Sequence, residues 1–394
     1  MTDYLHFVIT DRAGALTEAV PGKIRVSRDL GNFASLWPRS DTPGSARCHV
    51  FQCADVLEVW LKTIGAARGV DPYFVVVTDE RGEPRFAVAL GIERRFGVRI
   101  LTFLDGGVSD YNAPVVFANG PAARPYPLRQ LIERLRGILP PFDLVMFEKM
   151  PVEVLGLPNP LVRPGMEGHT PSGHVATLAG TWAEAAKRLP RGQDSRRKRR
   201  KLEATGKLAF VVADDPDSRE RLLDAMMRQK TRRYIETRGW DGFDRPGYRD
   251  YFRQMTERLG PAGIVHLSAL TLDDQVIAAH WGLVCGTRYY SLMPSFEVEW
   301  SRFSPGRLLL EHLFEWAYGH GIECFDFGIG DEAYKFEFRD AVLPLYRAVI
   351  PVTMAGSAYL FALNRKNALR ASRAWTWLRA LRSRGTAATT GANQ

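Results

Sequence analysis

The chain has 394 residues, 45% of them hydrophobic, which is enough for two domains with substantial cores. No apolar run reaches the roughly 18 residues that a membrane-spanning helix needs, so none is predicted. The net charge is +9. Eight basic residues and no acidic residue follow Asp340, so this segment carries +8 of that charge. The body of the chain is therefore close to neutral, which argues against nucleic-acid binding by the body as a whole.

The N-terminal residues lack a basic segment followed by an apolar one, so no secretory signal is expected. The four cysteines show no C-x-x-C spacing of the kind that binds metals: Cys48, Cys53, Cys285 and Cys324. They predict free thiols in a reducing, cytoplasmic compartment, and no metal site.

Residues 1–165 read as mixed strands and helices. Strands are predicted at 73–77, 86–92, 98–104 and 143–147, with a helix at 128–139. The Gly/Asp-rich loop 104–112 holds two carboxylates and an aromatic, which favours either an ordinary turn or a substrate-facing segment. The Pro/Gly-rich stretch 151–171 predicts a crossing into a second domain.

The second half opens with a predicted helix capped by Thr181 and then six consecutive cations, residues 196–201, of helical character. This run predicts a solvated helix face, a face for an anionic cofactor or lipid, or, least favoured, a specific nucleic-acid site. Helices are then predicted at 219–236 and 246–259 with a loop at 234–240, followed by an antiparallel meander at 263–272, 276–285 and 288–293.

The stretch 303–340 predicts a loop, a helix, a short buried strand and a polar loop. Ser304 is a candidate N-cap with Pro305 in the first turn, and Gly319 marks the helix end. Because a helix N-terminus carries unpaired N–H groups and partial positive charge, it can hold a phosphate. The alternative is an ordinary capped helix after a loop.

The order of three antiparallel strands, a helix that opens at a glycine-containing turn, and a strand ending at a polar loop resembles the GNAT acyltransferase superfamily. The closer resemblance is to its CelD/BcsL-like branch, which is related to Fem-type peptidyltransferases. The residues that carry it lie at 302–309, 325–335, the basic helix after Ser195, Trp60-Leu61 and Ser109-Asp110-Tyr111. The resemblance covers roughly residues 30–350.

The resemblance implies an α/β (α+β) fold of two tandem GNAT-like domains, each a twisted mixed sheet flanked by helices. The domains would span residues 1–165 and 166–355, with a basic tail at 356–394. A splay between two strands would admit the pantetheine arm of acyl-CoA, and the pyrophosphate would lie on Ser304, Pro305, Gly306, Arg307 and Leu308. Because this loop offers a single glycine, Gly306, acyl-carrier protein or aminoacyl-tRNA stay open as donors.

Acyl transfer to an amine needs a base, a polarised carbonyl and a protonated leaving thiolate. The candidate catalytic residues are Asp326, Asp331, Glu332 and His280 as bases and Tyr334 as the acid. The candidate substrate-binding residues are Lys335, Arg339, Asp110 and Tyr111. Each has a competing interpretation. His280 would be a satisfied core histidine. Asp331 and Glu332 would form a solvated turn, and Lys335 and Arg339 would belong to a surface face.

The tail alternates apolar residues, beginning with Leu360 and Leu363, with cations such as Arg365 and Lys366 at helical spacing. Residues 357–384 therefore predict either a peripheral helix on an anionic membrane surface or a helix docked on the protein body.

Three functions compete. The first is an acyl-CoA-dependent N-acyltransferase acting on a cell-envelope component. Its acceptor would be an amino sugar, a polysaccharide precursor, or a lipid-like long-chain amine such as a sphingoid base, as in ceramide synthesis. The second is a Fem-type transferase that uses aminoacyl-tRNA. The third is a non-enzymatic accessory protein of polysaccharide assembly. Acceptor identity, acyl length and oligomeric state are not determined by the sequence.

Overall fold

The structure is a computed structural model that describes residues 22–42, 44, 46–118 and 125–371. The predictions for residues 1–21 and for residues 372–384 of the tail lie outside these ranges. No helix within them is long and apolar enough to cross a membrane.

Strands occur in both halves of the chain. The first half contains β1 Ile24–Ser27, β2 Ala46–Arg47, β3 Asp71–Thr78, β4 Pro84–Arg95, β5 Val98–Phe103, β6 Val115–Phe117, β7 Leu144–Pro151, β8 Glu153–Val154 and β9 Leu157–Pro158. The second half contains β10 Glu167–Thr177, β11 Leu208–Val212, β12 Val265–Leu272, β13 Gln275–Cys285, β14 Arg288–Phe296, β15 Cys324–Ile329 and β16 Ala341–Pro351.

The helices flank these strands. They are α1 Ala54–Trp60, which continues as a π-helical turn over Leu61–Gly65, α2 Leu128–Arg136, α3 Trp182–Arg188, α4 Gly192–Glu203, α5 Pro216–Arg238, α6 Tyr248–Leu259, α7 Pro305–Gly319, α8 Ala333–Phe338 and α9 Met354–Ala371. The predicted Thr181 cap is confirmed, because its side chain accepts the backbone N–H of Glu184 in a capping box.

Three sequence predictions about helices need correction. The helix predicted at 128–139 ends at Arg136. The stretch 234–240 is not a loop, because α5 continues to Arg238 and stops at Gly239, where φ is 79°. Ion pairs of Arg232 and Arg233 with Glu236 support this last turn. The polar loop predicted through residue 335 ends earlier, since α8 begins at Ala333.

A single mixed sheet of fourteen strands runs through both halves. Its order is β1-β3-β4-β5-β7-β16-β10-β15-β14-β13-β12-β11, with β2 and β6 paired beside β4. The predicted meander β12-β13-β14 is confirmed as antiparallel. The domain boundary near residue 165 stays a prediction, because the sheet continues across it.

One strand of the second half joins the sheet to the first half. Strand β16 is the last strand of the second half, yet it pairs with β7 of the first. On its other side β16 pairs with β10, the first strand of the second half, which in turn pairs with β15. The first half therefore has its sheet extended by a strand that follows the core of the second half in sequence.

Each half contains one short parallel pair whose strands then separate. In the first half, β5 and β7 pair over residues 100–102 and 144–146. In the second half, β14 and β15 pair over residues 288–290 and 324–326. Beyond these residues the partners turn to other strands, so each half has a splay. We call these the first splay and the second splay.

The core is shared between the halves. One cluster joins Trp37, Trp60 and Tyr111 of the first half to Tyr251 and Trp281 of the second. Two further clusters lie under α2 and under α7. The halves are thus packed against each other through buried aromatic side chains, which fixes the geometry of any site between them.

Candidate active site

The N-terminus of α7 adjoins the second splay and the basic helix α4. Ser304 precedes the helix but has a left-handed backbone, with φ of 53°, and its side chain caps no N–H group. Ser304 thus occupies the predicted N-cap position, with Pro305 after it, but its hydroxyl accepts a hydrogen bond from Lys198 Nζ at 2.9 Å instead of capping the helix. Lys198 also pairs with Asp194. The first turn keeps its N–H groups free of a side-chain cap, with a cation beside them.

The other predicted donor residues divide into two groups. Arg307 is turned inward, where it pairs with Glu311 at 3.2 Å and Glu337 at 2.7 Å. Pro305 and Leu308 are buried in the core under α7. Gly306 leaves its surroundings open except for the Phe296 ring. The Ser304 N–H donates to the Ser301 carbonyl and the Arg307 N–H to the Ser304 carbonyl, so the Gly306 N–H is what this turn offers to an anion, while Arg307 and Leu308 hold the helix in place.

Asp326 lies at the point where the second splay opens and is completely buried. Its Oδ1 accepts hydrogen bonds from the Tyr111 hydroxyl at 2.7 Å and from the Gly328 backbone N–H at 2.8 Å. Arg288 Nη1 lies 3.4 Å from Oδ2. Burial raises the pKa of Asp326, and Arg288 opposes that shift. The structure thus brings Tyr111 and Asp326 together as a buried contact between the halves.

Asp110, beside Tyr111, lies at the edge of the same splay and is only half-buried. Its Oδ2 accepts the Ile329 backbone N–H at 3.1 Å. A Cβ on Gly328, where φ is 66°, would come within 1.8 Å of that oxygen, so only glycine permits the approach. Burial raises the pKa of Asp110 to about 6, against the opposing charges of Lys149 and Lys335.

The segment after β15 is held by its own polar groups. Lys335, which is 4% exposed, donates to the Ile329 carbonyl at 2.8 Å and pairs with Glu332 at 3.0 Å. Lys335 therefore holds this loop in place through its contacts with Ile329 and Glu332. Tyr334 is half-buried, and burial raises its pKa, with Glu332 and Asp110 as neighbouring charges.

Asp331 and Arg339 meet at a third residue. The buried His174 places Nε2 at 3.2 Å from Asp331 and Nδ1 at 3.1 Å from Arg339. The Asp331 side chain is 59% exposed. His174 on β10 therefore brings together two predicted residues that flank α8, beside the loop that Lys335 holds.

His280 belongs to a buried polar chain in the meander. Its Nε2 is 2.8 Å from the Ser291 hydroxyl and its Nδ1 is 3.0 Å from the Tyr289 hydroxyl, which in turn contacts His266. Burial lowers the pKa of His280 well below its usual value. Both ring nitrogens are occupied, so its geometry is that of a satisfied core histidine.

Sequence reasoning missed Lys230, on α5. Burial lowers its pKa to about 8, while the nearby Glu332 carboxylate acts in the opposite direction. Its ammonium donates no hydrogen bond to any residue that the structure describes. Nothing in the local sequence distinguishes this lysine from the surrounding cations of α5, so only the fold reveals it.

A cleft of about 290 Å³ opens at the first splay. The residues lining it carry both signs of charge: Arg68, Glu93, Arg95, Ile100, Thr102, Phe103, Asp105, Gly106, Gly107, Asn112, Met146, Glu148 and Lys149. Lys149 pairs with Asp105 at 2.7 Å. The loop that forms one wall runs on from Asp105 to Asp110, so the cleft and the second splay are joined by a few residues.

No group of three or more metal-ligating side chains occurs in the part of the chain that the structure describes. The residues described above offer carboxylates, amines, phenols and backbone N–H groups. The arrangement pairs a helix N-terminus with a half-buried carboxylate titrating near neutrality, which suits proton removal from an amine.

Comparison with known proteins agrees with this geometry. Residues 191–336 match the family model described as an acetyltransferase (GNAT) domain. The crystal structure of FemX superposes with a TM-score of 0.50 at 12% identity, over 77% of this chain and 93% of FemX. No curated protein matches the sequence.

Two further solved structures are similar at lower scores. A conserved protein of unknown function from Bacteroides thetaiotaomicron has a TM-score of 0.49 at 13% identity, over 75% of this chain and 88% of its own. A tandem GNAT protein from the clavulanic acid biosynthesis pathway has a TM-score of 0.45 at 13% identity, over 84% and 100%. At such identities the FemX likeness shows the fold alone. The predicted resemblance to the GNAT superfamily and its Fem-type relatives is confirmed, as is the mixed α/β fold class.

Proposed function

We propose that this protein transfers an acyl group from a thioester donor to an amine, with Asp110 as the general base. The observation that carries the proposal is the half-buried carboxylate of Asp110, whose pKa of about 6 lets it accept a proton near neutral pH. It stands between the polar cleft and the second splay. The match of residues 191–336 to an acetyltransferase domain supports the reaction class.

The donor would lie along the second splay. Its pyrophosphate would rest on the Gly306 backbone N–H at the start of α7, beside Lys198. Acyl-CoA is the proposed donor, and acyl-carrier protein would present the same phosphopantetheine arm.

The acceptor would enter from the cleft of the first half, which carries both charge signs. This fits a polar amine, such as an amino sugar or the head of a long-chain base. Lys230, without a hydrogen-bond partner among the described residues, would face an anionic part of the substrates.

The proposed chemistry needs no covalent enzyme intermediate. Asp110 removes the proton from the acceptor ammonium, and the neutral amine attacks the thioester carbonyl. Backbone N–H groups at the splay stabilise the oxyanion. When the carbon–sulfur bond breaks, the Tyr334 hydroxyl passes its proton to the departing thiolate and takes up the second proton of the attacking nitrogen, which leaves a neutral amide. Asp110 then releases its proton to solvent. Burial favours the neutral phenol in this relay by raising the pKa of Tyr334.

Asp110→Asn tests the proposal with acetyl-CoA and long-chain acyl-CoA as donors and a panel of amines as acceptors. We expect kcat/KM to fall by about 10²–10⁴-fold. In the native protein, activity should decline as the pH falls through about 6, because protonated Asp110 cannot accept a proton. The matched control is Asp331→Asn, a change at an exposed carboxylate, which should retain activity. Full activity of Asp110→Asn, or loss in the control alone, would reject Asp110 as the base.

A Fem-type transferase that uses aminoacyl-tRNA is the second candidate. The observation that favours it is the exposed cationic face of α4, with Arg196, Arg200 and Lys201, next to the start of α7. RNA that co-purifies with active protein, together with no calorimetric binding of either acyl-CoA, would favour this donor. A non-enzymatic role in polysaccharide assembly would be favoured if replacing Asp331, Glu332 and Tyr334 together by alanine left the cellular phenotype unchanged.

A reducing, cytoplasmic compartment is part of the proposal, and the thiols support it. All four cysteines are free in the structure. Three of them lie close together, with the Cys48 and Cys53 sulfurs 3.7 Å apart and Cys285 beside Cys53. Unoxidised thiols at this spacing support a reducing, cytoplasmic environment.

A further inference from the structure

The C-terminal helix α9 lies on the first half with one face and exposes another. Tyr359 and Leu363 pack on Ile100, Leu144 and Met146. A Cβ on Gly356 would meet the Asp143 carbonyl at 1.9 Å, so the helix start is seated tightly on the body. The described part of this helix is therefore packed on the body through this face.

Two large apolar side chains on the outward face of α9 point into solvent. Met354 is 89% exposed and Phe361 is 64% exposed. These two side chains are seven residues apart, so they project from the same side of the helix. Arg365 continues this stripe one turn later, with its guanidinium 5.7 Å from the Phe361 ring centroid.

A second exposed aromatic lies on the hairpin beside this helix. Phe96 is 95% exposed at the tip of the β4–β5 hairpin. The tip adjoins α9, since Val98 packs on the same apolar cluster as Tyr359. Phe96 and Gly97 both have positive φ, 50° and 81°, a turn in which asparagine is favoured and a bulky residue is strained. The chain thus holds a phenylalanine in water at a position that disfavours it.

The charges beside these aromatics are cationic. Arg365 and Lys366 are exposed and form no ion pair with a described residue. Two nearby acids are neutralised: Glu93 by Arg68 and Arg95, and Asp143 by Arg99 at 3.0 Å. Beyond Asp340 the sequence contains no acidic residue. The surface therefore combines protruding aromatics with unopposed positive charge.

We propose that this surface, defined as Phe96, Met354, Phe361, Arg365 and Lys366, docks on an anionic lipid bilayer. The aromatic side chains would enter the headgroup boundary while the cations contact lipid phosphates. A second copy of the chain fits less well, because a symmetric contact would set the same cations against each other. The inference rests on this surface and not on the proposed acyl transfer.

Vesicle flotation of the full chain tests the proposal. Binding is expected to vesicles containing phosphatidylglycerol and not to pure phosphatidylcholine, and it should weaken as salt is raised. Phe96→Asn with Phe361→Gln should reduce binding at least about tenfold. The melting temperature should not fall, because both side chains are exposed and asparagine suits the turn.

Charge removal at two places separates a defined surface from general basicity. Arg365→Gln with Lys366→Gln should weaken binding about fivefold for each charge removed. The matched control removes two cations from α4: Arg196→Gln and Arg200→Gln. It should leave vesicle binding within about twofold of the native chain.

Three results would overturn the proposal. One is unchanged vesicle binding after the two aromatic substitutions. Another is an equal loss of binding in the α4 control. The last is a dimer that the aromatic substitutions dissociate, with no vesicle binding by the native protein, which would assign the surface to a second copy.

Discussion

Tyr111→Phe removes a single hydroxyl from the contact between the halves. That hydroxyl donates at 2.7 Å to Oδ1 of Asp326, a fully buried carboxylate. The ring stays, so its packing against His49 and Phe51 is kept and no cavity forms. After the change, Oδ1 keeps only the Gly328 N–H, and Oδ2 has no hydrogen bond in the described structure.

The size of the expected loss in stability follows from the partner, Asp326, which is a charged group shielded from water. Hydrogen bonds to buried charged groups are worth about 1.5–3 kcal/mol, more than those between neutral groups. We therefore expect Tyr111→Phe to lower the free energy of unfolding by about 1.5–3 kcal/mol. Equilibrium unfolding in urea, followed by tryptophan fluorescence, measures this difference.

The deficit should also depend on pH. Burial already raises the pKa of Asp326, so the protonated carboxyl favours the folded state. That contribution is complete below the unfolded pKa near 4 and is lost as the pH rises through the folded value. Without the Tyr111 hydroxyl the ionised form is still less favourable when folded, so the deficit should be larger at pH 8 than at pH 4.

A double-mutant cycle isolates the bond. Combining Tyr111→Phe with Asp326→Asn should cost clearly less than the sum of the two single changes, because the partners are in direct contact. A loss below about 0.5 kcal/mol for Tyr111→Phe, or strict additivity in the cycle, would refute the argument that this hydrogen bond joins the halves.

Two further changes test the packing and the electrostatics of the fold. Gly173→Ala places a Cβ 2.5 Å from the Tyr111 hydroxyl oxygen and should lower stability by about 1–3 kcal/mol in urea unfolding, whereas Gly168→Ala on the same strand meets nothing within 4 Å and should stay within about 0.5 kcal/mol. Equal effects of the two alanines would contradict this. Hydrogen bonds from Arg99 hold the pKa of Asp143 well below its usual range, so this group stabilises the fold above pH ~4 and loses that effect on acidification. Asp143→Asn should therefore lower stability at pH 7 and flatten the acid limb of a stability-against-pH curve, and an unchanged acid limb would count against it.

The local elements were largely predictable, because their signals are short-range. The meander, α7 with its end at Gly319, and the strand around Phe325 follow from apolar periodicity and glycine placement. The Ser304 side chain does not cap the helix, because its hydroxyl accepts a hydrogen bond from the distant Lys198. The local sequence does not predict that contact.

The candidate site was only partly predictable. Asp110 was recognisable as a substrate-loop carboxylate, but its proximity to Ile329, 219 residues away, depends on how the halves dock. Lys230 carried no local signal at all. The pairing of β16 with β7 was likewise not predictable, because the alternation of residues along a strand does not indicate which sheet edge the strand joins.

The pairing of β16 with β7 has a consequence for synthesis on the ribosome. The first half emerges first, but the strand that covers the edge of β7 is residues 341–351, close to the end of the chain. That edge stays unpaired until almost all of the second half has been translated. An open strand edge is an adhesive surface, so the nascent chain passes through a long interval in which chaperones or neighbouring chains compete for it. Translation speed over the second half should therefore influence the yield of the native protein.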